Sequence, residues 1–347
     1  MRDESDLRGL FPEEISRLTE DMGEPAYRGR QIFAWLQKEA AGSYQEMTNI
    51  SMDLRRRFEE TWPLSGPELI RRQESADGTK KFLFSLADGL LIESVLMSHR
   101  EKTGHIRHTA CLSSQVGCAM GCSFCSTASL GFQRNLTAGE IVSQVLLIAA
   151  AEKTDVHNAV YMGMGEPFLN MGAVKRSILL LNHPQGQNIG ARRITVSTCG
   201  LPEGIRSMAN WDIRPVLAVS LHAADDETRS RLTPVNRRYP LSELIAACRD
   251  YTEKTGKRIT FEYVMLGRVN TDGKTAARLG ALLKGIPCNL NLIPVNPGAH
   301  CYDSPTPREQ ASFLTALEQA GLDAVIRQER GRDIDGACGQ LAGNSII

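Results

Sequence analysis

Six Val-, Ile- and Leu-rich runs alternate with amphipathic helical segments over residues 105–347, and this predicts an α/β fold: a partial (β/α)6 barrel preceded by a small, mostly helical N-terminal accessory domain. Two further observations support it. The strand-like runs are apolar throughout rather than alternating, as expected of parallel strands covered on both faces. The first 65 residues carry helical periodicity with no such runs between.

The elements follow in chain order. "YRGRQIFAWLQKE" sets Ile32, Phe33, Trp35 and Leu36 on one helical face, ringed by Arg28, Arg30 and Lys38. "NISMDLRRRFEE" predicts a second helix with Ser51 as N-cap and Leu54 and Phe58 one turn apart. Residues 1–65 are therefore read as the accessory domain. Residues 66–104 are read as a β-hairpin linker, with "KKFLFSLADGLLIESVLM" folding about Asp88–Gly89. Residues 105–347 are read as the barrel core, ending in a C-terminal loop. Its strands are "TACLSS", "NAVYMGMG", "RRITVST", "RPVLAVSLH", "RITFEYVML" and "CNLNLIPV". The helices between them are "TAGEIVSQVLLIAAAEK", opened by a Thr137/Glu140 capping box, "MGAVKRSILLLNH", "PLSELIAACRDYTEKTG" and "DGKTAARLGALLK".

Forty basic and forty acidic residues cancel, so any affinity for nucleic acid must come from local patches such as Arg55–Arg57, Arg71–Arg72, Lys80–Lys81 and Arg134. The N-terminus has no apolar h-region and no later stretch could span a bilayer, which predicts a cytoplasmic protein without membrane contact. In that reducing compartment nine cysteines, three of them crowded together, favour metal or redox chemistry over a disulfide scaffold.

Three of those cysteines form "CAMGCSFC", with Cys118, Cys122 and Cys125 in one loop after the first strand. A structural metal site closes its shell with four protein ligands, whereas three thiolates leave one position open. One reading is a 4Fe–4S cluster with an iron free for an amino acid's amine and carboxylate. The other is a zinc site completed by His105 or His108. Further polar residues follow the other strands: Gly165 and Glu166 in "GMGEP", Ser197 in "STCG", Ser220, Leu221 and His222 in "SLH", and Asn296 in "NP". In a βα barrel these strand ends share one mouth, so the scattered motifs converge.

The C-x3-C-x2-C spacing, with Phe124 before the last cysteine, resembles the radical S-adenosylmethionine (SAM) superfamily. "TACLSSQVGC", "GFQRNLT", "YMGMGEPFLN", "RLTPVNRRYPL", "NLIPVNP" and "GRDIDGACGQLAGN" together resemble the RlmN/Cfr family of RNA adenine methyltransferases over essentially the whole chain. The resemblance implies a 4Fe–4S cluster on Cys118, Cys122 and Cys125, and SAM, two molecules per turnover, held by Gly165, Glu166, Ser197, Ser220, Leu221, His222 and Asn296. It implies methylation at C2 of adenine 2503 in 23S rRNA and of adenine 37 in tRNAs. Cys338 would carry the methyl group as S-methylcysteine, Glu93 would act as base, and Cys111 would release the product by forming a disulfide with Cys338. The partners implied are 23S rRNA, tRNA and a flavodoxin- or ferredoxin-type electron donor, with the enzyme a monomer. The alternative within the family is methylation at C8 of the same rRNA adenine, as in a Cfr-like antibiotic-resistance enzyme; Pro167 in "GMGEP" favours C2. "LGRVNTDG" departs from the family's pattern at a loop near the mouth. Cys199, Cys248, Cys288 and Cys301 match no family role and are expected to be buried or incidental thiols. Cys338 is expected in a flexible Gly-rich turn.

Overall fold

A computed structural model describes residues 6–296 and 302–342. Cys301 and Pro297 lie outside the described residues. The N-terminal helices are Pro12–Asp21, Tyr27–Gln37 and Met52–Thr61. Ile32, Phe33 and Leu36 are buried, but Trp35 stays at the rim, where its ring N–H donates to the Asn49 side chain at 2.7 Å. Ser51 caps its helix as expected, accepting from the Leu54 N–H at 3.3 Å. The first two helices cross at Gly29, where a Cβ would stand 2.4 Å from the Ser16 backbone.

The strands are β1 (Glu68–Glu74), β2 (Lys80–Ser85), β3 (Leu91–Arg100), β4 (Ile106–Cys111), β5 (Gln115–Gly117), β6 (Phe132–Asn135), β7 (Asn158–Tyr161), β8 (Ile194–Thr198), β9 (Val216–Ser220), β10 (Ile259–Met265), β11 (Cys288–Pro294) and β12 (Ala324–Ile326). All but β5 and β6 join one sheet in the order β1-β2-β3-β4-β7-β8-β9-β10-β11-β12. From β4 onward every pairing is parallel, while β1 to β4 are antiparallel neighbours. The six expected barrel strands are therefore present. Two features extend them: β12 adds a short seventh parallel strand, and the 66–104 segment continues the barrel sheet through the β3–β4 ladder.

The Thr137/Glu140 capping box forms, with Glu140 N–H donating to Thr137 Oγ1 at 3.1 Å and Thr137 N–H to Glu140 Oε2 at 2.8 Å. Helices Met171–Asn182, Leu241–Thr255 and Gly273–Leu283 stand where the periodicity puts them. Their apolar faces cover the sheet, whose strands bury Ala159, Ile194, Val196, Leu217, Val219, Phe261, Tyr263, Leu290 and Leu292.

Among the described residues no strand pairs β12 back to β1, and the sheet stays open. The chain after β12 spans this opening. Arg330 donates to the Ser98 carbonyl at 2.9 Å, Gly331 N–H to Asp77 at 2.9 Å, and Ala76 N–H to Asp333 at 3.1 Å. Beyond Cys338, Ser126 N–H donates to the Gly339 carbonyl and Thr127 Oγ1 to the Leu341 carbonyl, both at 2.6 Å. The turn expected to be flexible is fastened on both sides.

Candidate active site

Parallel register sets the inward layers of the barrel. Side chains two apart on a strand share a face. Ser220 of β9 therefore sits beside Glu262 of β10, and Glu262 beside Asn291 of β11. The next layer toward the mouth pairs Val264 with Ile293, and Arg327 follows, its N–H donating to the Leu292 carbonyl at 2.8 Å. Above these layers lies a cavity of about 150 Å³ lined by Cys118, Cys122, Cys125, Gly165, Glu166, Ser197, Ser220 and His222. The strand ends converge as the motif order implies.

The three thiols share that cavity, yet among the described residues no three His, Cys, Asp or Glu side chains converge on a single-ion site. His105 and His108 are far from it. They sit at the start of β4, packed against the His157 ring, with centroids 5.3 and 5.7 Å away. Six residues of strand, roughly 20 Å, separate His105 from the mouth end at Cys111, and three residues, roughly 10 Å, separate His108, whose Nδ1 is engaged with the Ser98 hydroxyl. The zinc reading with either histidine fails on this geometry. Three thiols spread around one cavity suit a polynuclear cluster with an open coordination site.

Local electrostatics differ among the three. Burial pushes the Cys118 thiol up to about 12 and raises that of Cys125. Cys122 is shifted down, chiefly by its contact with Cys199, whose Sγ is 3.9 Å away. Cys199 is thus a neighbour of the cluster loop rather than an incidental thiol; its N–H also donates to Glu166 Oε2 at 2.6 Å.

Glu166 is buried, and its other oxygen takes the Phe168 N–H at 3.0 Å. Burial raises its pKa against these donors. Gly165, at φ +100°, is required by Gln115: a Cβ would meet that side chain at 2.5 Å. Chain packing thus demands a glycine here, and Gly165 also lines the cavity. His222 also has left-handed backbone, at φ +60°. Its Nδ1 accepts the Val264 N–H at 3.0 Å, and burial drives its pKa down to about 3, so the ring is neutral. Leu221 uses only backbone groups, donating to the Glu262 carbonyl at 2.9 Å, and its side chain is not on the cavity wall.

A second cavity of about 370 Å³ adjoins the first through Cys125, Met162, Gly163, Arg327, Cys338 and Gly339, and it also contains Cys111 and Asn296. Among the described residues Asn296 Oδ1 is buried without a hydrogen-bond partner. Cys111 at the end of β4 is buried, and burial pushes its thiol up to about 12. Cys338 is exposed; Arg327 Nη1 donates to its Sγ at 3.5 Å. Both cysteines are free thiols.

Glu93 is not on either cavity wall. It is buried on β3, paired with Lys81 at 3.1 Å, and accepts the Ala342 N–H at 2.8 Å. Lys81 is likewise buried, and Arg134 is held by Asp88 and Glu140 at 2.6 and 2.8 Å. Arg72 and Lys80 share Glu152. These cations serve the fold first.

Sequence reasoning missed Arg229, Glu262 and Arg327. The Arg229 side chain is fully buried and donates to the carbonyls of Leu221, Cys199 and Ser220 and to Asn236 Oδ1, at 2.7–3.1 Å. Glu262 had a visible signal, an acid within the apolar run "RITFEYVML". Arg327 follows a three-residue strand and had none.

Three loop thiols, polar strand ends and an open parallel barrel define a radical SAM protein, and residues 112–279 match the family model described as the radical SAM superfamily. Residues 5–63 match the ribosomal RNA large subunit methyltransferase N-terminal domain. A "Probable dual-specificity RNA methyltransferase RlmN" of Heliobacterium modesticaldum is 51% identical over 98% of this chain and 90% of its own length. A "Dual-specificity RNA methyltransferase RlmN" of Nitratidesulfovibrio vulgaris is 44% identical over 99% of this chain and 96% of its own. The crystal structure of a radical SAM methyltransferase from Sphaerobacter thermophilus, 44% identical, superposes with a TM-score of 0.93 over 98% of this chain and 99% of that one. The chain belongs to the family of dual-specificity RNA methyltransferases RlmN.

Proposed function

We propose that this enzyme methylates C2 of adenine 2503 in 23S rRNA and C2 of adenine 37 in tRNAs through S-methylcysteine at Cys338. The observation that carries this is the shared cavity of Cys111, Arg327 and Cys338, opening onto the three-cysteine loop. The relatives above have the dual-specificity name and give no support to the C8 alternative.

When bound, the cluster and SAM supply a methyl group and, from a second SAM, a 5′-deoxyadenosyl radical. Cys118, Cys122 and Cys125 hold the cluster. Glu166, Ser197, Ser220, His222 and Asn296 hold SAM with Gly165 and the backbone of Leu221. Cys338 accepts the methyl group, and Arg327 donates a hydrogen bond to its sulfur. Adenine C2 lies between two ring nitrogens and is too electron-poor to attack a sulfonium, so the methyl carbon must first be carried by the protein. Glu93 is assigned the C2 proton by family resemblance; because it stands off both cavity walls and is paired with Lys81, it must turn toward the cavity to take it. Cys111 then attacks the Cys338 sulfur and breaks its bond to the one-carbon bridge now attached to C2. That carbon takes up a proton and leaves on the adenine as its methyl group, and the electron left by radical addition would return to the cluster. The Cys111–Cys338 disulfide is reopened by an external reductant. Because burial keeps Cys111 protonated in the resting site, the attack awaits removal of its proton.

The target adenosine leaves its stack to reach the mouth. Residues 1–65 form the accessory domain, 66–104 the hairpin and 105–347 the catalytic core; the accessory domain contacts RNA backbone. A flavodoxin- or ferredoxin-type protein supplies electrons, and the enzyme acts as a cytoplasmic monomer. In support, no helix among the described residues is long and apolar enough to cross a membrane. Mass spectrometry of rRNA and tRNA digests from cells with and without the gene tests the function. Gene-dependent 2-methyladenine is expected, whereas 8-methyladenine alone would overturn it.

A further inference from the structure

Glu262 is a buried acid with half of its carboxylate unused. Oε1 accepts from the Asn291 side chain at 3.1 Å, while Oε2 is buried with no hydrogen-bond partner among the described residues. The side chain lines the three-cysteine cavity, and Arg327 acts on it electrostatically, though among the described residues no ion pair joins the two. A carboxylate oxygen buried without a donor is unfavourable by about 1–3 kcal/mol or more, so a donor is expected to arrive with a ligand.

SAM offers three kinds of donor: its ammonium, the ribose hydroxyls and the adenine amine. The ammonium belongs beside the cysteine loop, where Glu166 stands. Glu166 follows β7 and Glu262 lies on β10, three strand intervals along the sheet, roughly 14 Å. The two carboxylates thus address opposite ends of an extended ligand, and Glu262 faces the nucleoside. Val264 and Ile293, in the next inward layer, give the base an apolar wall. A carboxylate with one free oxygen lacks the donor–acceptor pair needed to read an adenine edge, but it suits a vicinal diol, as acids do in dinucleotide-binding folds.

We infer that Glu262 binds the ribose hydroxyls of SAM, with Ser220 beside it on the neighbouring strand. Burial raises its carboxyl pKa; Arg327 and Asn291 oppose that shift, and hydroxyl donors at Oε2 would oppose it further. The inference rests on SAM occupying this cavity and adds a subsite to it.

The test is calorimetric binding of S-adenosylhomocysteine and its 2′-deoxy and 3′-deoxy analogues to the cluster-containing full-length enzyme. S-adenosylhomocysteine lacks the sulfonium charge, so attraction to that charge does not contribute, and the ammonium is common to all three compounds. Wild type should lose about ten- to hundredfold in affinity when a contacted hydroxyl is removed. Glu262→Gln should bind the parent compound more weakly by a similar factor and no longer distinguish that deoxy analogue. The inference is overturned if wild type binds all three alike, or if the variant weakens all three equally. It is also overturned if the variant weakens SAM but not S-adenosylhomocysteine, which would mean that Glu262 serves the sulfonium. Failure of every ligand to bind wild type would instead refute the cavity assignment.

Discussion

Replacing Arg229 with Met keeps the length of the side chain and removes its donors. Three backbone carbonyls, of Cys199, Ser220 and Leu221, and the Asn236 amide oxygen then lose a charged partner inside the protein. At about 1–1.5 kcal/mol net per bond the loss comes to about 4–6 kcal/mol. Part of this is offset, because burial disfavours the guanidinium charge, as its lowered pKa shows, and Met carries none. A net loss of about 3–5 kcal/mol is expected, a large share of ordinary domain stability. Equilibrium urea unfolding of the purified protein, with ΔG taken from midpoint and slope, measures it. The carbonyls tie the ends of β8 and β9, so SAM affinity should fall as well. A loss below about 1 kcal/mol at unchanged slope would refute the view that Arg229 pins these two strand ends.

Cys122→Ala should lose iron and all methylation while retaining its fold, checked by iron analysis and circular dichroism; full iron content would remove Cys122 from the ligand set. Cys111→Ala should accumulate a covalent RNA–protein adduct through Cys338, visible on denaturing gels, and turnover with clean release would remove Cys111 from the mechanism. Cys338→Ala should abolish methylation with iron content unchanged. His222 sets an acid limit. Its pKa is 6.5 in its unperturbed state and about 3 in the fold. Its contribution to stability is complete above pH 6.5 and is lost as pH falls toward 3, because only the unfolded chain then takes up the proton. The slope is about 1.4 kcal/mol per pH unit. The difference in unfolding free energy between wild type and His222→Gln should shrink across that window, and a constant difference would contradict a neutral buried ring.

The barrel was legible because apolar strands and capped helices are local signals. The Thr137/Glu140 box and Ser51 cap formed as written, and the six long strands stand where their apolar runs do. The short β12 was not legible, since Ala-Val-Ile alone has too few residues to declare a period. In the site, motif order put Gly165, Glu166, Ser197, Ser220 and His222 at one mouth. What sequence could not give was pairing across distance. Lys81 stood in a candidate nucleic-acid patch and Glu93 was marked only by family resemblance, but the two meet inside the antiparallel ladder. Arg229 and Arg327 each lie in unremarkable polar sequence, and only tertiary register brings them to strand ends and to Cys338.

The fastening of residues 330–342 across the open barrel joins parts of the chain more than 200 residues apart: Arg330 to Ser98, Gly331 to Asp77, Ala342 to Glu93. A polypeptide emerging from synthesis could assemble its iron loop and cofactor pocket long before this late segment arrives. The Cys338 thiol is therefore the final part of the site to be installed, and chemistry must wait until that seam is stitched.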